Sequence, residues 1–303
     1  MKNNVYVRSK KSIKNISITR LLCLLPLIIY GLYKNGIYLY INHYTTIIGL
    51  FKPLVYIIIG GIIGALVNII YEKAIKRRED SLFDMVFSSF HVEYGILLGC
   101  ITSINTNIII FTISVLGIFI LSKFIKNRVN VMSIVFILIY LLQVNILGSY
   151  SFLNAYDTSR VFTFDFMDYM VGRGQGGIAT THIILLIISL IGISITNNNK
   201  SNITLSSILG LFVVFGVYSI INKVPLGSII LNNNYMFVCV YILTDYVTSS
   251  YTLTGEVIYG LLFSVLTLLF YFINPYLAPF ISVVITSLLN NLIDRIANKL
   301  TKQ

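Results

Sequence analysis

Residues 244–250 are Thr244-Asp245-Tyr246-Val247-Thr248-Ser249-Ser250, a polar stretch between two strongly apolar segments. The residues that follow, up to Gly260, add further hydroxyls and the turn residue Gly255. Hydroxyls and a carboxylate at such a break can satisfy free backbone groups and hold a ligand. We therefore expect this stretch to form part of a functional site, with the rest of the chain as its scaffold.

Composition places the chain among polytopic membrane proteins. Its 303 residues are 56% hydrophobic and 11% charged, with a mean hydropathy of +0.86, which is typical of a protein with many membrane segments. A net charge of +11 would suggest a nucleic-acid partner in a soluble protein. Here the charge lies in the loops, so we expect no nucleic-acid partner and interpret the charge as a marker of membrane orientation.

About ten apolar segments follow one another, which predicts an all-α polytopic membrane protein. Two of them, 92–104 and 228–243, are short for a span of about 20 residues, and each is either a half-helix or a helix completed by polar residues. The predicted segments are 19–33, 53–71, 92–104, 107–124, 131–147, 178–196, 203–222, 228–243, 257–273 and 276–292.

The basic residues predict the orientation of these segments. If the N-terminus is cytoplasmic, seventeen Lys and Arg residues fall on the inside and five on the outside, the asymmetry expected of a multi-pass cell-membrane protein with both termini in the cytoplasm. The predicted organisation is a basic cytoplasmic segment 1–18, a single integral-membrane domain 19–294 and a basic tail 295–303. In this topology the polar loop 148–177 is outside and the break 244–256 is cytoplasmic.

The outer loop ends in a glycine-rich run that enters an apolar helix: Gly172-Arg173-Gly174-Gln175-Gly176-Gly177-Ile178-Ala179-Thr180-Thr181-His182. Glycines before a helix allow close approach of a ligand, and free N–H groups of a first turn attract phosphate or carboxylate. The alternative is a tight entry turn in which Thr180 caps the helix. Both interpretations remain open from the sequence.

Few other polar residues lie at membrane depth. Glu93 begins the third segment, and an intramembrane carboxylate is a functional candidate by default, although near an interface it can simply face water. Together with Asp245 it marks a possible ion pathway. Since His91 and His182 lack a second ligand three or four residues away, no metal site is predicted. No catalytic motif is present either.

The same residues resemble a known family. Residues 244–250, then Thr252, Gly255 and Ile258-Tyr259-Gly260, are similar to the Thr-Asp-Pro-Val-Thr-Ser-Pro segment and following Ile-Tyr-Gly of the RnfD and NqrB membrane subunits. Gly176 to Thr181 resembles the family's entry to a helix, and Asn290 to Asp294 resembles its closing Asn…Leu-Ile-Asp. Those proteins are flavin-carrying subunits of Rnf and of sodium-translocating NADH:quinone oxidoreductase complexes.

The resemblance implies a fold of two inverted repeats with broken helices and a function in electron transfer through flavin (FMN), coupled to ion translocation. It also implies other membrane subunits of a redox complex as partners, besides the lipid bilayer. By this resemblance, cofactor-binding positions lie at a cytoplasmic half and an outer half of the site: Thr244, Asp245, Thr248 and Ser249; and Gly174, Gly176, Gly177, Thr180 and Thr181.

The chain also departs from the family pattern. Tyr246 and Ser250 replace its two prolines, which leaves the turn with two more N–H donors. The family's Ser-Gly-Ala-Thr sequence, whose threonine carries FMN, is absent; the matching region offers the Thr158 hydroxyl without small residues beside it. Two alternatives follow: a channel or carrier for a small solute, with Asp245 and Glu93 as polar filter residues, and an assembly subunit without a cofactor.

Overall fold

The computed structural model describes residues 12–77, 81–124, 129–152, 165–196 and 200–300. Within these ranges every regular element is a helix. The first half contains α1 (Ile13–Leu32), α2 (Tyr38–Ile41), α3 (Ile47–Ile70), α4 (Leu82–Val86), α5 (His91–Ile101), α6 (Ile108–Phe124) and α7 (Val131–Leu147). The second contains α8 (Phe166–Met170), α9 (Ile183–Ile195), α10 (Ser201–Asn222), α11 (Leu226–Ile230), α12 (Tyr235–Phe237), α13 (Leu253–Tyr271) and α14 (Ala278–Leu300).

Three π-helical turns extend these helices. Tyr33–Ile37 joins α1 to α2, Tyr71–Ile75 continues α3, and Val238–Ile242 continues α12. A helix therefore lies in each of the ten predicted apolar segments. Five described helices are long and apolar enough to cross a membrane, and four more are apolar but shorter. The prediction of an all-α polytopic membrane protein is confirmed.

The two halves have the same order of elements. Leu226 at the start of α11 follows Leu82 at the start of α4 by 144 residues, and Tyr235 at the start of α12 follows His91 at the start of α5 by the same 144. Each half has five apolar segments with the broken helix in third place. This shared order agrees with two repeats of one unit, and five crossings in each half would make those repeats inverted.

The broken helices α5 and α12 lie antiparallel at the centre of the molecule. At one end Asn234 Nδ2 donates to Ile101 O at 3.0 Å, and at the other Tyr94 Oη donates to Asp245 Oδ1 at 2.6 Å. We name these the Lys34 end and the Asp245 end. Both helices stop inside protein, where side chains replace the hydrogen bonds that a continuing helix would make.

Helix α5 is held very close to α3. A Cβ added at Gly95 would lie 1.9 Å from Gly60 O, and one at Gly60 would lie 2.0 Å from Gly95 O. The two backbones therefore touch, and glycine is required at both positions for this approach. Close packing of this kind fixes the first broken helix against its neighbour.

Local side chains set several helix starts. Ser12, Thr46, Asn130 and Thr252 each accept a hydrogen bond from the backbone N–H three residues later, as an N-cap does. Helix α9 begins at Ile183 and not near 178, because the N–H groups of Ile178 and Ala179 bond to Thr102 O and Cys100 O. At the C-terminal end, α14 runs to Leu300, so residues 295–300 are helical.

Candidate functional site

The turn after the second broken helix is closed around Asp245. Its Oδ1 accepts from Tyr94 Oη at 2.6 Å, and its Oδ2 accepts from Thr248 Oγ1 at 2.8 Å. Ser249 Oγ donates to the backbone oxygen of Asp245 at 2.6 Å. Asp245 is 3% exposed. The structure thus brings Thr244, Asp245, Thr248 and Ser249 together in one buried turn.

Arg20 joins this turn to the first broken helix. Its Nε lies 2.7 Å from Glu93 Oε1, and both side chains are almost completely buried, at 3% and 2% exposure. Its two Nη atoms donate to Tyr241 O at 2.5 Å and Thr244 O at 3.4 Å. One guanidinium therefore satisfies carbonyls at the end of one broken helix and pairs with a carboxylate in the first turn of the other.

Two expectations from the sequence change here. Glu93 does not face water but is buried in an ion pair. In the sequence analysis Arg20 was counted only among the basic residues of the N-terminal segment. In the structure it lies inside α1 and contacts Glu93, Tyr241 and Thr244. The signal that could have found it is its position directly before the apolar run Leu21 to Leu25, because a charge within a membrane helix is costly and needs a partner.

Helices α10 and α14 hold the other side of the turn. Lys200 Nζ donates to Ser249 Oγ and Ser250 O, both at 2.8 Å. Burial lowers the pKa of Lys200 below its usual value, while the charges of Glu256, Asp245 and Asp294 act in the opposite direction. Asp294 Oδ1 accepts from Ser250 Oγ at 2.5 Å. The turn is thus held by side chains from α1, α5, α14 and the start of α10.

Asn290 is the least satisfied polar side chain of this region. It lies on the same face of α14 as Ser287, whose Oγ accepts from Asn130 N at 3.3 Å, and as Asp294. Asn290 is 1% exposed, and neither atom of its amide has a hydrogen-bond partner among the described residues. Buried polar groups are nearly always paired, so this amide marks a place for a polar occupant such as water.

At the Lys34 end, the buried Lys34 holds the glycine-rich loop. Its Nζ donates to Gly172 O at 2.7 Å, to Gly174 O at 2.6 Å and to Thr181 Oγ1 at 3.1 Å. The first glycine has φ +91°, a backbone conformation that glycine adopts at no steric cost. Three oxygens of the loop are thus turned inward to one ammonium group.

The N–H groups of the loop are also used within the protein. Asn232 Oδ1 accepts from Gln175 N at 2.9 Å, and Asn234 Oδ1 accepts from Gly177 N at 2.7 Å and Thr180 Oγ1 at 2.5 Å. Asn234 has φ +70°, which asparagine tolerates better than most residues. It precedes α12, so the side chain links the loop to the start of the second broken helix.

These contacts do not fit a phosphate cradle. Such a cradle needs free N–H groups, but those of residues 175 and 177–179 are taken by protein oxygens. A Cβ at Gly177 would come within 2.4 Å of Ile101 O, and one at Gly176 within 2.7 Å of Thr181 Cγ2. The glycines make room for protein atoms. The cap of α9 is His182, whose Nδ1 accepts from Leu185 N, in place of the predicted Thr180.

Thr158, the hydroxyl singled out for FMN attachment, lies outside the described residues. Within the part of the chain that the structure describes, no group of three His, Cys, Asp or Glu side chains could hold a metal ion. His91 hydrogen-bonds through Nδ1 to Ser89 Oγ at 2.8 Å and through Nε2 to Ser122 Oγ at 2.7 Å. Both ring nitrogens are therefore hydrogen-bonded within the protein, and the bond from Nε2 links α5 to α6.

Comparison with known proteins agrees with this architecture. No protein with a curated description matches the sequence significantly. A sequence profile of the NQR2, RnfD, RnfE family matches residues 1–302, almost the whole chain. Members of this family are membrane subunits of Rnf- and Nqr-type complexes, and the family is associated with flavin-binding subunits. On a match of this extent, the chain belongs to the NQR2, RnfD, RnfE family.

Proposed function

We propose that this chain is the RnfD/NqrB-type subunit of a redox-driven ion translocase in the cell membrane, with both termini in the cytoplasm. Family membership supports the complex, and the asymmetry of Lys and Arg supports the orientation. We assign the ion pathway to the Asp245 end. The observation that carries this assignment is the pair of buried carboxylates, Glu93 and Asp245, one from each half of the chain.

The two carboxylates at the Asp245 end have different partners. Glu93 is paired with Arg20 at 2.7 Å, whereas Asp245 is held by the hydroxyls of Tyr94 and Thr248. Arg20 Nη1 also reaches the backbone oxygen of Thr244 at 3.4 Å, one residue before Asp245. Asp245 is thus the carboxylate that would bind a passing cation or proton. Its hydroxyl donors can rotate away from it, whereas binding at Glu93 would require the ion pair with Arg20 to break.

The unpaired amide of Asn290 supports the same location. It lies on α14 between the contact to Asn130 and the contact of Asp294 to the turn. Asn130 in turn lies 3.5 Å from Thr248 Oγ1 through its Nδ2. A polar occupant beside Asn290 would therefore border the turn that carries Asp245, which is the arrangement that an ion or proton needs to reach a buried carboxylate.

Family membership suggests flavin as the cofactor. We assign none of the residues 172–181 to it, because the N–H groups of residues 175 and 177–179 and the oxygens of Gly172 and Gly174 are bonded within the protein. Attachment through Thr158 is tested directly: the purified, denatured protein is examined for yellow absorbance and in-gel fluorescence, and its peptides for the mass of a phosphoflavin. Absence of both excludes covalent FMN, while flavin released on denaturation supports a non-covalent cofactor.

The ion pathway is tested with Asp245→Asn in the assembled complex, reconstituted into liposomes. We expect electron-driven ion uptake to fall at least about tenfold, since one lost charge at a buried site corresponds to more than about 1.4 kcal/mol. Asp84→Asn, which removes an exposed carboxylate, is the matched control and should retain uptake. Full activity of Asp245→Asn would instead identify an assembly subunit, and solute uptake by the chain without redox partners would identify a carrier.

A further inference from the structure

An apolar groove runs along the outside of the helix bundle between α3 and α6. It encloses about 230 Å³ and continues along the π-helical turn Tyr71–Ile75. Its walls are apolar side chains, and its polar lining is confined to Tyr71 and Lys123 at one end. The lining residues are Ile63, Leu66, Val67, Ile70, Tyr71, Ile75, Leu116, Ile120, Lys123 and Phe124.

The polar end of the groove carries an excess of positive charge. The Nζ atoms of Lys123 and Lys76 lie 5.0 and 5.2 Å from the centre of the Tyr71 ring. Lys73 and Arg77 are exposed nearby in sequence. Glu72 contributes one carboxylate and lies 2.8 Å from Lys76. Two ammonium groups, against the single carboxylate of Glu72, thus lie at this end, so the groove matches a long apolar tail with a negative head.

Hydrogen bonds within the protein position the Lys123 ammonium group at this end of the groove. Its Nζ donates to Asn68 Oδ1 at 2.7 Å and to Ser89 Oγ at 2.8 Å. Both partners are neutral, and an ammonium group has a third donor. The π-helical turn beside it widens α3 at Tyr71, and single π-turns are frequent at functional sites. The position of Lys123 is therefore fixed by the fold, through two hydrogen bonds to neutral partners.

We infer that this groove binds one anionic phospholipid, with an acyl chain between α3 and α6 and the phosphate against Lys123 and Lys76. This inference does not depend on the ion pathway or on flavin. A basic pocket at the end of membrane helices is a known chemistry for anionic lipid heads. The acyl chain accounts for the apolar walls, and the phosphate accounts for the cationic polar end of the groove.

The test is a lipid titration of the purified, delipidated full chain, with bound lipid counted by native mass spectrometry. The probes are dioleoylphosphatidylglycerol, dioleoylphosphatidylcholine and free glycerol phosphate. We expect one tightly bound phosphatidylglycerol, weaker phosphatidylcholine binding and no retained glycerol phosphate. Equal binding of the two phospholipids would overturn the charge selection, and retained glycerol phosphate would show that the tail is not needed.

Two variants separate the head from the tail. Lys123→Gln keeps a hydrogen-bond donor and removes the charge, so phosphatidylglycerol affinity should fall about fivefold, the change that corresponds to about 1 kcal/mol per lysine at an anionic membrane. Ile120→Trp fills the groove and should lower it at least as much. The controls are Lys223→Gln at the end of α10 and Ile113→Trp, two turns earlier on α6 and outside the groove.

Wild-type affinity in either Lys123→Gln or Ile120→Trp would refute the proposal, and the second variant leaves the Lys123 hydrogen bonds intact if the first fails to fold. A photo-reactive side chain at position 120 gives an independent measurement in the assembled complex. A crosslink to phospholipid supports the assignment. A crosslink to another protein would assign the groove to a partner subunit and overturn it.

Discussion

Replacement of Arg20 by methionine tests the connection between the two broken helices. Methionine retains an unbranched apolar stem but removes the 2.7 Å ion pair with Glu93 and the hydrogen bonds to Tyr241 O and Thr244 O. Glu93, at 2% exposure, would be left without a counter-charge. Removing one partner of a buried pair costs about 3–5 kcal/mol, because the remaining charge is neither solvated nor paired.

The expected order of stability follows from the contacts. Arg20→Met should lower the free energy of unfolding by about 3–5 kcal/mol. Glu93→Gln should cost less, about 1.5–3 kcal/mol, since a neutral acceptor remains beside Arg20. The double variant should be more stable than the sum of the two losses predicts, because it leaves no buried unpaired carboxylate. All four proteins are unfolded with denaturant in the same detergent, and the loss of helical circular dichroism is measured.

An exposed ion pair of similar length provides the control. Arg173 Nη1 lies 2.8 Å from Asp168 Oδ1, but these side chains are 54% and 28% exposed. Arg173→Met should therefore cost less than about 1 kcal/mol. If Arg20→Met also stayed within about 1 kcal/mol of the wild type, or if the two single losses simply added in the double variant, then the buried pair would not be formed in the folded protein and the reasoning would fail.

Three further outcomes are expected. Gly177→Ala should destabilise the protein, measured by thermal unfolding in detergent, because its Cβ would lie 2.4 Å from Ile101 O; a wild-type melting temperature would contradict the packing of the loop. Lys34→Met should expose residues 172–181 to limited proteolysis, since it removes three hydrogen bonds to that loop; unchanged cleavage would argue against this anchor. The hydrogen bond from Lys14 lowers the pKa of Asp84, so its stabilising effect should be complete above the ordinary carboxyl pKa of about 3.9 and be lost as pH falls through the lower folded-state pKa. The difference in melting temperature between wild type and Asp84→Asn should shrink over that acidic window, and a constant difference would contradict it.

The corrections to the sequence-based expectations share one cause. From the sequence, Glu93 could face water, because it lies near the start of the third apolar segment. Its actual environment is set by Arg20, 73 positions earlier in the chain. The glycine-rich run likewise suggested a phosphate loop, but its donors are taken by Asn232 and Asn234, more than fifty residues later. Local patterns carry no information on partners at such separations.

The sequence by itself determined the class of fold and the places where helices break. Within a membrane every backbone group must be satisfied by the chain itself, so apolar segments have to be helical. The polar residues near His91 and at 244–250 then had to interrupt them. The family resemblance of residues 244–260 was also readable, because it depends on residue order alone, and it is confirmed by the match over residues 1–302.

The tertiary structure alone decided what the breaks face. It placed Asp245 against Tyr94 from the other repeat, joined Glu93 to Arg20, and turned the glycine-rich loop toward Lys34. Each is a contact between segments far apart in the chain, formed because a buried charge or hydrogen-bonding group must find a partner within the protein. The partner of each buried group depends on how the helices pack, and that packing depends on residues far apart in the sequence.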